Sequence, residues 1–220
     1  MTGRGLVAFT GLDEAHKAAV RHVYETSFPL ALRAPWEEIT AGRPDERLLV
    51  LLEDESPQAQ PVGLLLIRHL GVTSMSFLRY FVVDAEHRGQ GHGSALFSAL
   101  VSHLRGAGRS MLLLDVEDPD GRPPDSPERR DDVRRIDFYE RHGVHMLAVR
   151  DYAPPDHGQD AEEPRLLLMG CALTGSDGLP LGPAPRGRAL REAVIAVYRD
   201  RYGLELDDPV VQATLRASEL

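Results

Sequence analysis

The sequence is poor in several residue types, and each scarcity narrows what the protein can be. Cys171 is the only cysteine, so no disulfide forms within the chain and nothing calls for an oxidising compartment. Lys17 is the only lysine, so arginine carries almost all of the positive charge. The formal net charge of −9 argues against a general nucleic-acid binder, which needs a basic surface.

Long apolar runs and metal-binding patterns are also missing. The longest apolar runs, 48–52 and 62–67, are strand-sized and too short to span a membrane. The first twelve residues are too interrupted by glycine to be a secretory signal, so we expect a cytoplasmic protein. His142 and His145 straddle a glycine turn and the other histidines show no ligand spacing, so we expect no metal. Cys171 lies in an apolar strand, where an inert buried thiol is expected.

The most informative stretch is 78–104, which reads LRYFVVDAEHRGQGHGSALFSALVSHL. An apolar strand ends at Val83, three glycines follow at 89, 91 and 93, and a helix is predicted from about Ser94. Apolar residues at 96, 97, 100, 101 and 104 give that helix one buried stripe. Glycines at a strand-to-helix turn leave backbone N–H groups uncovered at the positive end of the helix dipole. The turn is therefore a candidate anion site, and its alternative is a glycine-rich turn without a ligand.

The other predicted elements alternate between strands and helices. Strands are predicted at 6–9, 47–52, 62–70, 76–83, 111–117, 144–149 and 165–173, and helices at 13–26, around Trp36, at 94–104 and at 132–142. Residues 118–131 are rich in proline and charge, which predicts a solvated loop or a lid. His87 and His92 flank the glycine turn and are expected to face solvent.

The C-terminal part reads as an appendage to this α/β domain. We predict a domain over 1–173, a glycine- and proline-rich linker over 174–186 and a helical extension over 187–220. The extension carries an apolar stripe at 190, 194, 197 and 198 that must be buried somewhere. Docking on its own domain and forming a homodimer are equally open.

Two motifs together resemble the GNAT superfamily of acyl-CoA-dependent N-acetyltransferases. They are Arg88-x-x-Gly91-x-Gly93 after the strand, and the Phe138-Tyr139-Glu140 helix segment that closes at Gly143. The resemblance implies an α/β GNAT fold: a mixed, mostly antiparallel sheet with a splayed strand pair, flanking helices and here a C-terminal helical extension. It also implies acetyl-CoA as acyl donor, bound by Phe81, Val82, Val83, Arg88, Gly89, Gln90, Gly91, His92, Gly93 and Ser94. The long insertion and the Arg-Arg-Ile before Phe-Tyr suggest a bacterial branch of undefined substrate.

The resemblance further implies direct attack of an amine on the thioester. Tyr139 stands at the family's position for the acid that protonates the leaving thiolate; its alternative is a packed aromatic. Asp115 and Glu117 are two residues apart on one strand and share a face. Glu117 is the first candidate for the base. The alternatives are that one of the pair orders the 118–131 loop, with Arg129 or Arg130 as a partner, or that a water chain replaces the base.

The acceptor side is less defined. In GNAT folds the helices before the second strand wall the acceptor pocket, which makes Phe28, Arg33 and Trp36 candidate contacts, with Trp36 alternatively filling the core. The acceptor is a primary amine of a small molecule or a peptide. The rival hypotheses are an acyl-CoA-binding module without turnover and a regulatory protein dominated by its C-terminal helix.

Overall fold

The computed structural model describes residues 6–28, 33–54, 56, 58–155, 165–175 and 179–220. These residues divide into two compact units. The first unit runs to Arg68 and includes Leu78–His103; the second contains His69–Phe77 and Leu104–Leu220. The predicted connections 27–39 and 150–164 and the predicted linker 174–186 are described in part, because 29–32, 156–164 and 176–178 lie outside these ranges.

The described strands form a mostly antiparallel sheet. They are β1 (Leu6–Ala8), β2 (Glu46–Leu52), β3 (Pro61–His69), β4 (Met75–Val83), β5 (Met111–Glu117), β6 (His145–Met146) and β7 (Leu166–Ala172), in the order β1-β2-β3-β4-β5-β7-β6. A parallel ladder joins Met75–Phe77 of β4 to Met111–Leu113 of β5, and both strands continue beyond it. This topology confirms the predicted α/β fold.

Three of the described helices begin at a side chain that caps them, Asp13, Ser126 or Asp208. The helices are α1 (Glu14–Ser27), α2 (Trp36–Ile39), α3 (His92–Gly106), α4 (Pro127–Arg141), α5 (Gly187–Ala196) and α6 (Pro209–Ala217). The Asp13 carboxylate accepts from the His16 N–H at 2.9 Å and caps α1, as predicted. The stripe predicted on α3 is buried throughout, with every member at most 8% exposed.

The start of α4 differs from its prediction. The Ser126 hydroxyl accepts from the Arg129 N–H at 3.1 Å, and Pro127 occupies the first turn. Proline is favoured there because that turn needs no N–H donor. The helix therefore begins at Pro127 and not at 132, and the predicted loop 118–131 is shorter by its last five residues.

The first unit has an aromatic core beneath α1 and α2. The rings of Phe9, Tyr24, Phe28, Trp36 and Tyr80 contact one another with centroids 5.1–5.8 Å apart. Tyr24 donates to the Ala34 carbonyl at 2.9 Å, and the Ala34 N–H donates to the Tyr80 hydroxyl at 2.8 Å. Both backbone polar groups of Ala34, just before α2, are thus hydrogen-bonded.

The second unit buries the C-terminal helices in its own core. The stripe of α5, with Val197 and Tyr198 behind it, packs in one cluster with Phe77, Leu113 and Leu168 of the strands. Val211 and Leu215 of α6 belong to the same cluster. Of the two arrangements left open by the sequence, docking within the chain is the one observed. A homodimer through the C-terminal helix stays a prediction.

The predicted strand 144–149 is reduced to β6. His145 and Met146 pair with Gly170 and Met169 of β7. The Val149 N–H then donates to the Leu147 carbonyl at 2.8 Å, a tight turn that ends the ladder.

Candidate active site

The glycine turn joins β4 to α3 in the first unit. A short 3₁₀ turn at Ala85–His87 follows Asp84, and α3 starts at His92. Gly89 and Gly91 have φ of 75° and 82°, the left-handed region that favours glycine. A Cβ at either position would meet no atom within 4 Å. The glycines are therefore required by backbone conformation and not by crowding.

Side chains of the turn fold back onto its own backbone. The Arg88 Nε donates to the Val83 carbonyl at 3.1 Å, and the Gln90 amide donates to the Glu86 carbonyl at 3.1 Å. The Arg88 side chain is exposed, as are Gly89, Gln90 and Gly91. No acidic residue lies in the first turn of α3. The first N–H groups of a helix have no partner within it and carry its positive dipole end, so this turn is electrostatically suited to an anion.

One of the two histidines beside the turn differs from expectation. His92 is only 4% exposed, so the expected solvent-facing position is wrong for this residue. Its ring packs edge-on against His87 at 5.8 Å, and His87 in turn contacts the Asp84 carboxylate at 2.8 Å.

The end of β4 is packed closely against β3. Val82 lies in the aromatic core of the first unit, and Phe81 contacts the Phe97 ring at 6.3 Å. A Cβ built on Gly63 of β3 would lie 2.8 Å from the Val82 carbonyl oxygen and 3.6 Å from the Val83 Cα. This close approach fixes the backbone of β4 just before the glycine turn.

The three predicted acceptor contacts lie on the first unit. Phe28 and Trp36 are half-buried members of the aromatic core, and the Arg21 guanidinium lies 5.9 Å from the Trp36 ring. Arg33 donates to the Glu25 carbonyl at 2.6 Å, in the last turn of α1. Most contacts of Trp36 are those of a residue packed in the core. The contact of Arg33 caps the last turn of α1. The acceptor role of all three stays a prediction.

Tyr139 lies on α4 in the second unit and is 6% exposed. Its ring packs against Phe138 at 5.3 Å. Burial raises its pKa above the usual range, with Asp115 acting in the same direction and Arg135 opposing it. The phenol is therefore protonated at neutral pH and lies within electrostatic reach of both of these charged residues.

Glu117 and Asp115 share a face of β5 but have different partners. Glu117 is paired with the Arg135 guanidinium of α4, which also lies 3.8 Å from Asp132. The partner of Glu117 is therefore neither Arg129 nor Arg130. Asp115 accepts hydrogen bonds at Oδ2 from the hydroxyls of Tyr152, at 3.2 Å, and Tyr202.

Tyr152 and Tyr202 were not predicted as site residues. Tyr202 is 87 residues from Asp115 in sequence. It stands at the end of a helical tail whose pattern indicates only an apolar stripe. Tyrosines are common on such helices, so the sequence carries no signal that would select Tyr202.

Other candidate groups have structural roles in the described ranges. Cys171 is fully buried, and burial raises the pKa of its thiol to about 12, which leaves it inert near neutral pH. No cluster of three metal-ligating side chains occurs among the residues the structure describes. Across the same ranges no helix is both long and apolar enough to cross a bilayer.

Sequence comparison matches residues 12–123 to the acetyltransferase (GNAT) family, just over half of the 220 residues. The chain belongs to this family. The matched range includes the glycine turn, Asp115 and Glu117, and it ends before α4. A search of the curated proteins gives no significant match.

Solved structures of GNAT proteins share the fold. A GNAT-family protein from Bacteroides thetaiotaomicron is 18% identical with a TM-score of 0.64, over 91% of this chain and 98% of that one. The spermidine N-acetyltransferase from Vibrio cholerae, in complex with CoA and spermine, is 12% identical with a TM-score of 0.57, over 78% and 96%. The ribosomal-protein-S18-alanine N-acetyltransferase from Escherichia coli is 17% identical with a TM-score of 0.53, over 80% and 98%.

Proposed function

We propose that this GNAT protein transfers an acetyl group from acetyl-CoA to a primary amine of a small molecule or peptide. The observation that carries the proposal is the glycine turn before α3. Left-handed glycines at 89 and 91, an exposed arginine at 88 and a helix start without acidic residues fit a pyrophosphate. When bound, acetyl-CoA supplies a thioester that an amine can attack directly.

Residues of the first unit would hold the donor. The backbone N–H groups from Gly89 to Ser94 would bind the pyrophosphate, with Arg88 beside them as a charged donor. The edge of β4 from Phe81 to Val83 would pair with the pantetheine amides and offer an N–H near the reacting carbonyl. A hydrogen-bond donor that is fixed in position stabilises the developing oxyanion, because the donor needs no reorganisation during the reaction.

Tyr139 and the carboxylates of β5 are the groups that we propose move the protons. Tyr139 keeps its proton at neutral pH because it is buried, and we propose that it protonates the leaving thiolate. The sequence favours Glu117 as base, whereas the contacts favour Asp115. Glu117 is already paired with the Arg135 guanidinium, whereas Asp115 accepts hydrogen bonds from two phenols, those of Tyr152 and Tyr202.

We propose an amine as the acceptor. The relatives described above are named for acetylation of spermidine and of a ribosomal-protein alanine, which are a small polyamine and a protein substrate. A net charge of −9 suits a cationic acceptor but does not select between these classes.

The proposal is tested by calorimetric titration of the protein with acetyl-CoA and with free CoA. Gly91→Glu should abolish binding, because a carboxylate would enter the anion site and the left-handed backbone would be strained. Gly108→Glu is the matched control: its φ is 68°, a Cβ there also meets no atom within 4 Å, and it follows the other end of α3. We expect micromolar binding in the wild type and in Gly108→Glu.

Two results would count against the proposal. Equal affinity in Gly91→Glu and the wild type would remove the glycine turn from the cofactor site. Tight acetyl-CoA binding without CoA release across a broad amine panel would favour the alternative, a GNAT-fold module that binds acyl-CoA without turnover.

A further inference from the structure

We propose that Tyr202, in the C-terminal segment, is a positioning residue for acetyl transfer. It holds Asp115 in place, and the Asp115 carboxylate takes the proton of the acceptor ammonium. The inference rests on the proposed function and extends it to a segment far beyond the range matched by the family. The first observation is that two phenols, Tyr152 and Tyr202, meet the same carboxylate oxygen, Oδ2 of Asp115. Neither bond uses Oδ1, and Asp115 is only partly buried.

The C-terminal segment places Tyr202 by specific packing. After α5 the backbone widens into a π-turn over Val197–Arg201, directly before Tyr202. Such turns are rare and occur often at functional sites. The Tyr202 ring packs edge-on against Phe77 at 6.4 Å, and the Arg201 guanidinium lies 4.7 Å from the ring centroid. The ring is therefore held from two sides while its hydroxyl meets the carboxylate.

A neighbouring tyrosine of the same segment has a different task. The Tyr198 hydroxyl bonds the Thr214 hydroxyl at 2.8 Å and accepts from the Ala153 N–H at 3.0 Å. Thr214 donates to the Asp151 carbonyl at 2.7 Å. These bonds tie α6 and the π-turn to the chain at 151–153 without touching Asp115. Tyr198 thus anchors the C-terminal segment, whereas Tyr202, four residues later, contacts the Asp115 carboxylate.

The groups that act electrostatically on Asp115 are Tyr152, Tyr202, Arg201 and Tyr139. Burial raises the pKa of Asp115, whereas the two phenols and Arg201 lower it. Burial also keeps the pKa of Tyr152 and of Tyr202 well above the usual range, so both remain protonated donors. A carboxylate whose pKa is raised by burial is a stronger base than an exposed one.

The proton transfer balances without any further reactant. One N–H bond of the acceptor ammonium breaks, an O–H bond forms at Oδ1 of Asp115, and the nitrogen keeps the electron pair with which it attacks. Asp115 becomes neutral, and Tyr152 and Tyr202 stay hydrogen-bonded to Oδ2. The acid later returns its proton to solvent.

The test follows the Asp115 carboxyl by ¹³C NMR in the full chain labelled with carboxyl-¹³C aspartate. The Asp115 signal is the one missing from Asp115→Asn. Tyr202→Phe should move the titration midpoint upward by about one to two pH units, the shift expected when one hydrogen bond to a charged group is lost. Tyr24→Phe is the control; it removes a buried hydroxyl that donates to the Ala34 carbonyl in the aromatic core of the first unit, and it should leave the midpoint unchanged.

The kinetic arm uses saturating acetyl-CoA and spermine as the first amine probe, followed by the best acceptor of an amine panel. In Tyr202→Phe, the acidic limb of the pH profile of kcat/KM should move to higher pH together with the NMR midpoint. The KM for acetyl-CoA should be unchanged. An unmoved midpoint, or a midpoint that moves while the acidic limb does not, overturns the proposal and leaves Tyr202 as an anchor.

The two arms separate this inference from the proposed function. The NMR arm needs neither donor nor acceptor, so an unmoved midpoint there refutes the role of Tyr202 even in an active enzyme. Failure of the wild type to bind acetyl-CoA refutes acetyl transfer, and with it the catalytic part of this inference, even if the midpoint has moved.

Discussion

The close approach of β3 to β4 makes Gly63→Ala an informative perturbation. The new Cβ would lie 2.8 Å from the Val82 carbonyl oxygen, about 0.6 Å short of the ordinary contact of 3.4 Å. The Leu96 side chain at 3.3 Å can turn away, but the carbonyl is backbone and must move with its strand. Overpacking of this kind costs about 1–3 kcal/mol. For a chain of this size that corresponds to a fall in Tm of roughly 3–10 °C.

The same displacement should weaken cofactor binding, because Val82 and Val83 lie on the proposed pantetheine edge. We expect acetyl-CoA affinity in Gly63→Ala to fall by about tenfold, a change of about 1.4 kcal/mol. Scanning calorimetry and acetyl-CoA titration measure the two effects. Gly106→Ala is the matched control, since a Cβ there meets no atom within 4 Å and its φ is not left-handed; its Tm should equal or slightly exceed that of the wild type.

The reasoning would be refuted by Gly63→Ala with the stability and acetyl-CoA affinity of the wild type. A loss of stability with unchanged affinity would be a narrower result. It would keep the packing argument and would remove the edge of β4 from the donor site.

Two further predictions concern the second unit. Tyr139→Phe should lower turnover by about 10²-fold with little change in acetyl-CoA affinity, measured by CoA release and calorimetry; full turnover would leave Tyr139 as a packing residue. Asp115→Asn tests the dependence of stability on the ionisation of Asp115. Burial raises the pKa of Asp115 in the folded protein, so the wild type loses stability as pH rises through that pKa. The Tm of Asp115→Asn minus that of the wild type should therefore increase from pH 4 to pH 8, and a constant difference would contradict a raised pKa for Asp115.

Local sequence signals predicted the parts of the fold that depend on neighbouring residues. The Asp13 cap, the α3 stripe and the turn before α3 follow from spacing within a few residues, and the structure contains them. The start of α4 was missed because proline and charge in 118–131 suggested a loop. Ser126 followed by Pro127 is itself a helix-start signal, and it was outweighed by composition.

Long-range contacts could not be predicted in the same way. The pairing of Glu117 with Arg135 spans 18 residues, and nothing in the sequence ranks Arg135 above the other arginines of that stretch. The contact between Asp115 and Tyr202 depends on how α5 and the π-turn pack, which periodicity does not specify. The burial of His92 depends on space under a turn, which a one-dimensional pattern does not report.

The burial of Val211 and Leu215 in the core of the second unit affects the order in which the chain can fold as it is synthesised. All residues of the first unit precede residue 104, whereas the second core closes only after residue 215 has been made. Until then Phe77, Leu113 and Leu168 lack the helices that cover them. Apolar surface exposed on a partly made chain promotes aggregation, so the nascent protein is most exposed to aggregation before residue 215 has been made.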